Sequence, residues 1–259
     1  MRIAASVISH PGNHREKNED NFIFNRIILD DSKSQLGNSG GKAPEQSIIM
    51  GVFDGMGGIS AGEVASLITA QTAYEMAPML SESDNIPATL VSICEEANRR
   101  VCNEMVGVVR KRMGTTATMI CFSRGNYYLC NVGDSPAFLL RDSVLEEISH
   151  EHTEKDNYIQ IYGEENLPPN KKYRLTQHVG IFPDEMIIDP YIRADRLVPG
   201  DKFIICSDGL TDMVPRDEIT QILSSSNTPK EMTEALLQRA LYYGGKDNVT
   251  IVYAQVSKA

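Results

Sequence analysis

Apolar and polar positions along this chain fall into two rhythms. Short apolar or β-branched runs bounded by turn formers occur at residues 3–9, 22–24, 47–53, 114–122, 127–132, 137–141, 191–197, 203–206 and 249–256, and each predicts a strand. A second rhythm, with apolar positions three or four residues apart (Leu90, Cys94, Ala97, Val101, Met105, Val108), predicts a helix from Pro87 to about Val109. Another helix is expected from about Ala61 to Met79, opened by the capping-box pair Ser60 and Glu63. Two more are predicted at Arg216–Leu223 and after Thr228, whose spacing to Glu231 makes a second capping box. Arg124-Gly125-Asn126 reads as a tight hairpin turn, and Pro199-Gly200-Asp201 is expected to join 191–197 and 203–206 into another hairpin. Antiparallel meanders therefore dominate over βαβ crossovers, which points to an α+β fold with mostly antiparallel sheets. Residues 30–46 are turn-rich and expected to form a mobile excursion, and periodicity is also lost between His150 and Pro190.

Composition narrows the function classes. With 259 residues, 41% hydrophobic and no composition break, repeat or linker, the chain is expected to form a single domain, 1–259. A net charge of −10 without a Lys/Arg cluster argues against nucleic acid or an anionic membrane as the main partner. No apolar run approaches the roughly 18 residues of a membrane span, and the first residues lack a signal-peptide apolar core, so a cytoplasmic location is expected. The five cysteines form no C-x-x-C pair and lie within apolar patterns, so they read as reduced core residues.

The chemistry concentrates at strand ends. Asp20, Asp54, Asp208 and Asp247 each stand at the mouth of an apolar run, and Asp54 opens a loop containing Gly55, Gly57 and Gly58. Four carboxylates brought together repel and are costly to bury unless cations neutralise them. Hard oxygen donors select Mg²⁺ or Mn²⁺, and two such ions could activate water for attack at phosphorus. The same residues also fit four unrelated turn aspartates, and position along the chain does not decide between the two. No P-loop is present, and the C-x5-R spacing of Cys94 and Arg100 falls inside the helix predicted from Pro87 and not in a loop, so P-loop ATP hydrolysis and cysteine phosphatase chemistry are unsupported.

Six motifs in order decide it. Arg15-x-x-Asn18-Glu19-Asp20, Phe53-Asp54-Gly55-Met56-Gly57-Gly58, Gly114-Thr115-Thr116-Ala117, Asn131-Val132-Gly133-Asp134-Ser135, Ser207-Asp208-Gly209-Leu210-Thr211-Asp212 and Asp247-Asn248-Val249-Thr250 run nearly the length of the chain. Together they resemble the metal-dependent Ser/Thr protein phosphatases of the PPM family, the protein phosphatase 2C type, in its bacterial form. The resemblance implies an αββα sandwich and hydrolysis of phosphoserine and phosphothreonine in proteins by water at a binuclear Mn²⁺/Mg²⁺ centre. Carried over by residue, it implies core metal binding by Asp20, Asp54, Asp208 and Asp247 with the Gly55 carbonyl. It likewise implies phosphate binding by Arg15, and a third, weaker ion at Asp134, Asp208 and Asp212. Residues at about 155–190 correspond to the family's variable flap. The expected partners are phosphoproteins made by a Ser/Thr kinase, in signalling, and the expected state is a monomer.

Some positions depart from the family. Pro136 stands where Arg is common, and Glu151 where Asp is common; neither is a metal position. Met56 replaces a histidine that serves eukaryotic members as a candidate general acid, and a thioether cannot donate a proton. His150 and His152 are candidates for that role, with a structural or solvated histidine the favoured reading. Thr115 and Thr116 are read as packing near the site, not as nucleophiles. Two alternatives remain from sequence: a catalytically silent module, which loss of metal aspartates would favour, and a phosphatase of small phosphoesters.

Overall fold

The computed structural model describes residues 1–29, 39–41, 47–56, 61–107, 112–168, 171–225 and 227–258. In chain order its strands are β1 (Arg2–His10), β2 (Asn21–Phe24), β3 (Ile27–Ile28), β4 (Ser39–Gly41), β5 (Ile48–Phe53) and β6 (Gly55–Met56). Helices α1 (Gly62–Glu82) and α2 (Ile86–Gly107) follow, then β7 (Gly114–Thr115), β8 (Ala117–Ser123), β9 (Asn126–Val132), β10 (Ala137–Arg141) and β11 (Val144–Glu147). After α3 (Lys155–Tyr162) come β12 (Tyr191–Arg196), β13 (Lys202–Cys206), α4 (Asp208–Thr211), α5 (Arg216–Ser224), α6 (Pro229–Tyr242) and β14 (Val249–Ser257).

These strands form two six-stranded sheets, ordered β11-β10-β13-β14-β1-β4 and β12-β9-β8-β5-β2-β3, plus a β6–β7 ribbon, and every strand pair is antiparallel. The apolar runs are continuous because both faces of the central strands are covered. In β5, Ile48, Met50 and Val52 pack between the sheets, whereas Ile49 and Phe53 join the core under α1 and α2. In β14, Val252, Ala254 and Val256 face the other sheet, and Ile251 and Tyr253 pack beneath α5 and α6. Helix, sheet, sheet and helix thus stack around three apolar layers, the expected αββα sandwich.

Most local expectations hold to within a few residues. The β8–β9 hairpin turns on Arg124 and Gly125, both at positive φ, as a two-residue loop matched to strand twist requires. Thr228 and Glu231 make both capping-box hydrogen bonds at the start of α6. All five cysteines are buried and free. The capping box expected at α1 falls on Ser60, outside the described residues, as do most of residues 30–46; within that stretch Ser39–Gly41 pairs with β1. In the aperiodic stretch from His150 to Pro190, α3 occupies Lys155–Tyr162 and buries none of its residues, which explains why no apolar stripe marks it.

The second predicted hairpin is a correction. β12 pairs with β9 in one sheet, while β13 pairs with β10 and β14 in the other, so residues 197–201 cross between sheets. The turn signal at Pro199-Gly200 reverses the chain equally well within a sheet or between two. What fixes the crossing is long-range: the buried Asp201 carboxylate accepts two hydrogen bonds from Arg141 of β10, each 2.8 Å, and one from the Val198 N–H. No helix among the described residues is long and apolar enough to cross a membrane.

Candidate metal centre

Register brings the aspartates to one end of the sandwich. Asn21 pairs with Phe53, so Asp20, just before β2, and Asp54, just after β5, leave the same end of one sheet. Cys206 pairs with Ile251, so Asp208, beyond β13, and Asp247, before β14, leave the matching end of the other. Asp134 follows β9, whose Val132 pairs with Ala117 at that same end. The sheets are tied together there, since Ser207 Oγ donates to Asp20 Oδ2 at 2.7 Å and the Thr250 N–H donates to Ser207 Oγ at 3.0 Å.

Backbone clamps hold several of the ligand candidates. The Asp54 N–H donates to Thr116 Oγ1, and its carbonyl accepts from Thr115 Oγ1 and the Thr116 N–H, all at 2.9 Å. Thr115 and Thr116 therefore do more than pack: they fix the backbone of Asp54. Gly55 admits no side chain, because a Cβ would lie 2.3 Å from the Glu19 carbonyl oxygen and 2.5 Å from that of Gly62. Gly209 is equally closed in, with a Cβ falling 2.0 Å from the Asn248 carbonyl oxygen. Asn248 staples the Arg15–Asp20 loop to β14: its side chain accepts from the Glu19 N–H (2.8 Å) and donates to the Pro11 (3.0 Å) and Lys17 (2.9 Å) carbonyls.

The electrostatics report an unbalanced site. Burial, then repulsion from Asp208 and Asp247, outweighs the Ser207 and Thr250 hydrogen bonds and pushes the Asp20 carboxyl up to about 7. Burial and the charges of Asp20, Asp208, Asp134 and Asp247 push Asp54 well above the usual carboxylate range. Asp134 rises to about 6, from burial and Asp208, and burial also raises Asp208. Among the described residues no three His, Cys, Asp or Glu side chains are already gathered as an ion cage. The all-oxygen donor set and its shortage of positive charge nonetheless fit hard divalent cations.

One cation is supplied by the chain itself. Lys172 Nζ lies 3.0 Å from Asp208 Oδ2 and 2.5 Å from Asp212 Oδ2. Burial pulls this ammonium down, but Asp212 and Asp208 outweigh it and its pKa lies above the usual lysine value. A cleft of about 300 Å³ opens here, lined by Asp134, Glu151, Lys172, Asp208 and Asp212 among others. Sequence reasoning missed Lys172, since a lysine in an aperiodic segment carries no pattern. Arg15 reaches the other side of the cluster, its guanidinium 2.8 Å from Asp247 Oδ2 and its side chain 54% exposed, so it remains free to turn toward an incoming anion.

The departing positions are also placed. Pro136 lines the cleft, and its carbonyl accepts from the Cys206 N–H; Glu151 is held by Lys155 at 2.7 Å. Met56 sits in the β6–β7 ribbon opposite Gly114, and the neighbouring Gly57 and Gly58 lie outside the described residues. His150 and His152 line a different cavity, with Gln177, Asp189 and Tyr191. His152 Nδ1 accepts from the Gly133 N–H at 3.2 Å, buttressing the turn that carries Asp134, so a structural role suits it.

Comparison with known proteins agrees with this geometry. The family model described as Protein phosphatase 2C matches residues 31–241. The serine/threonine phosphatase stp of Listeria monocytogenes (strain F2365) is 29% identical over 214 residues, covering 79% of this chain and 82% of that one. The serine/threonine protein phosphatase PstP of Mycobacterium tuberculosis is 31% identical over 217 residues, 80% of this chain and 40% of that protein. Among solved structures, serine/threonine phosphatase Stp1 from Staphylococcus aureus superposes with a TM-score of 0.82 at 26% identity, over 98% of this chain and 95% of the other. The catalytic domain of PstP in complex with two manganese ions gives 0.80 at 25% identity, over 99% of each chain. The chain belongs to the protein phosphatase 2C family. It is an enzyme, a protein phosphatase, with Arg15, Asp20 and Asp247 lying outside the stretch the family model matches.

Proposed function

We propose that the protein removes phosphate from phosphoserine and phosphothreonine in proteins at a binuclear Mn²⁺ or Mg²⁺ centre. Asp20, Asp54, Asp208, Asp247 and the Gly55 carbonyl would hold the two core ions, and Asp134, Asp208 and Asp212 a weaker third. When bound, the ions supply an activated water and neutralise charge developing on the phosphoryl oxygens. The chain's own residues do the rest. Arg15 turns its planar fork from Asp247 to two oxygens of the phosphomonoester and orients it. Thr115 and Thr116 keep Asp54 in place, and Ser207 fixes the Asp20 carboxylate so that it faces the cluster as an acceptor. The cleft beside Asp208 and Asp212 is open enough to receive a peptide carrying the phosphate.

The observation that carries this reading is the cluster of carboxylates, drawn from both sheets to one end and short of positive charge. Asp54→Asn should lower phosphopeptide turnover by about 100-fold or more, in line with loss of a ligand charge at a catalytic ion. It should also weaken Mn²⁺ binding by calorimetry, with the far-UV dichroism unchanged. A folded variant with near wild-type turnover in saturating Mn²⁺ would falsify the two-ion reading. Assaying small phosphoesters beside a phosphopeptide panel separates a protein phosphatase from a metabolite phosphatase.

A further inference from the structure

The proposed reaction leaves Lys172 without a task. Its ammonium bridges Asp208 and Asp212, two of the three aspartates of the proposed outer ion site, and the third, Asp134, lines the same cleft. The neighbouring Lys171 is clamped between two rings, its Nζ 4.7 Å from the centroid of Tyr158 and 4.8 Å from that of Tyr173. Tyr158 lies on α3, which has no buried residue of its own. The strand side of this arm is fastened by Glu154 N–H to the Arg174 carbonyl (2.9 Å) and Thr176 N–H to the His152 carbonyl (2.8 Å). Lys172 thus reaches the cleft from a segment that is hydrogen-bonded at its base and whose helix, α3, buries none of its residues.

An ammonium between two carboxylates meets the same electrostatic need as a bound metal ion, with one charge in place of two. The Lys172 side chain is 66% exposed, and exposed ion pairs are weak, so a divalent ion could displace it. Of the four core aspartates it pairs with Asp208 alone; Asp20, Asp54 and Asp247 make no ion pair with it.

We propose that Lys172 is a tethered internal cation that occupies the Asp208–Asp212 position and must swing out before a third divalent ion can bind there. Filling the outer site and releasing the arm are then one event, and by reciprocity whatever holds the arm closed weakens the outer ion by the same factor. This rests on reading Asp134, Asp208 and Asp212 as the outer ion site.

The test is Mn²⁺ calorimetry on the wild type, Lys172→Gln and Lys172→Arg, paired with limited chymotrypsin digestion at Tyr158, Tyr162 and Tyr173. The two tight ions, which share only Asp208 with the lysine, should change far less among the three proteins than the outer ion does. The outer ion should bind Lys172→Gln about threefold to tenfold more tightly, the scale set by losing two exposed ion pairs, and Lys172→Arg as in the wild type. In the wild type, cleavage of the arm should accelerate as the third ion fills, whereas in Lys172→Gln it should be fast beforehand. Equal third-ion affinity in wild type and Lys172→Gln overturns the tether while leaving the outer site standing. A third ion in none of the proteins removes the outer-site reading and the tether with it. Tighter binding in Lys172→Gln, but cleavage of the wild-type arm indifferent to Mn²⁺, reduces Lys172 to a through-space charge and overturns the swing.

Discussion

Arg15 and Asp247 show how a side chain can wait beside a site it does not ligate. The pair is 2.8 Å apart but Arg15 is mostly exposed, so breaking it costs little and the guanidinium can transfer to a phosphate. Arg15→Ala should therefore raise KM for a phosphopeptide by about tenfold, the usual cost of one charge-assisted contact, with core Mn²⁺ affinity unchanged. Calorimetry showing weakened core binding would instead make Arg15 part of the ion site. Asp20 makes a second residue-scale claim. Its carboxyl lies near 7 in the folded, ion-free protein, against about 3.9 for a free aspartate. A raised acid pKa means that the folded state binds the extra proton, so its contribution is fully present below about pH 4 and is lost as pH rises through about 7; Asp134, raised to about 6, adds to the same slope. The melting temperature of EDTA-treated protein should fall between pH 5 and pH 8, and Asp20→Asn should flatten the slope. A wild-type melting temperature that rises over that range would exclude this origin.

Among the elements, α2 positions the chain entering the site. Asn98, buried on α2, accepts from the Gly180 and Ile181 N–H groups at 2.7 and 2.9 Å and donates to the Ile181 carbonyl at 2.9 Å. Two residues earlier Val179 exchanges both backbone hydrogen bonds with Thr115, the residue that also clamps Asp54. Asn98→Leu strands two buried backbone N–H groups and leaves the Ile181 carbonyl only the Cys102 thiol; at roughly 1–3 kcal/mol for each stranded group, partly relieved by relaxation, the net cost should be about 3 kcal/mol in urea unfolding. A loss below about 1 kcal/mol would mean that water replaces the side chain. Turnover should also drop at a temperature where the variant is fully folded, because the Val179–Thr115 pairing leads directly to Asp54.

Across the whole molecule, the Arg141–Asp201 pair secures the passage from one sheet to the other. The Asp201 side chain is 1% exposed and that of Arg141 is 28% exposed. Removing one partner of a buried pair leaves an uncompensated charge, so Arg141→Leu should cost roughly 3–5 kcal/mol. Arg141→Leu with Asp201→Asn should recover part of it, since the stranded charge is gone. A double variant as unstable as the single one would show that the loss comes from packing of the Arg141 stem and not from the stranded carboxylate.

The sequence by itself determined most of the elements and supplied the candidate site residues. Strands such as Ile48–Phe53 are legible because burial on both faces demands an unbroken apolar run, and α6 announces itself through a capping box whose bonds are local. The six ordered motifs pointed to the family, since each couples a residue type to a strand end. Tertiary structure alone decided how those ends meet. Pairings such as Asn21 with Phe53 and Cys206 with Ile251 join residues distant in the chain, and nothing local records them. The Pro199-Gly200 turn looked like a hairpin because a turn signal specifies reversal but not which sheet receives the next strand; Arg141, 60 positions from Asp201, supplies that choice. Helix α3 and Lys172 were silent for a related reason. A helix that buries nothing has no period, and a lone lysine acquires meaning only from the carboxylates the fold sets opposite it.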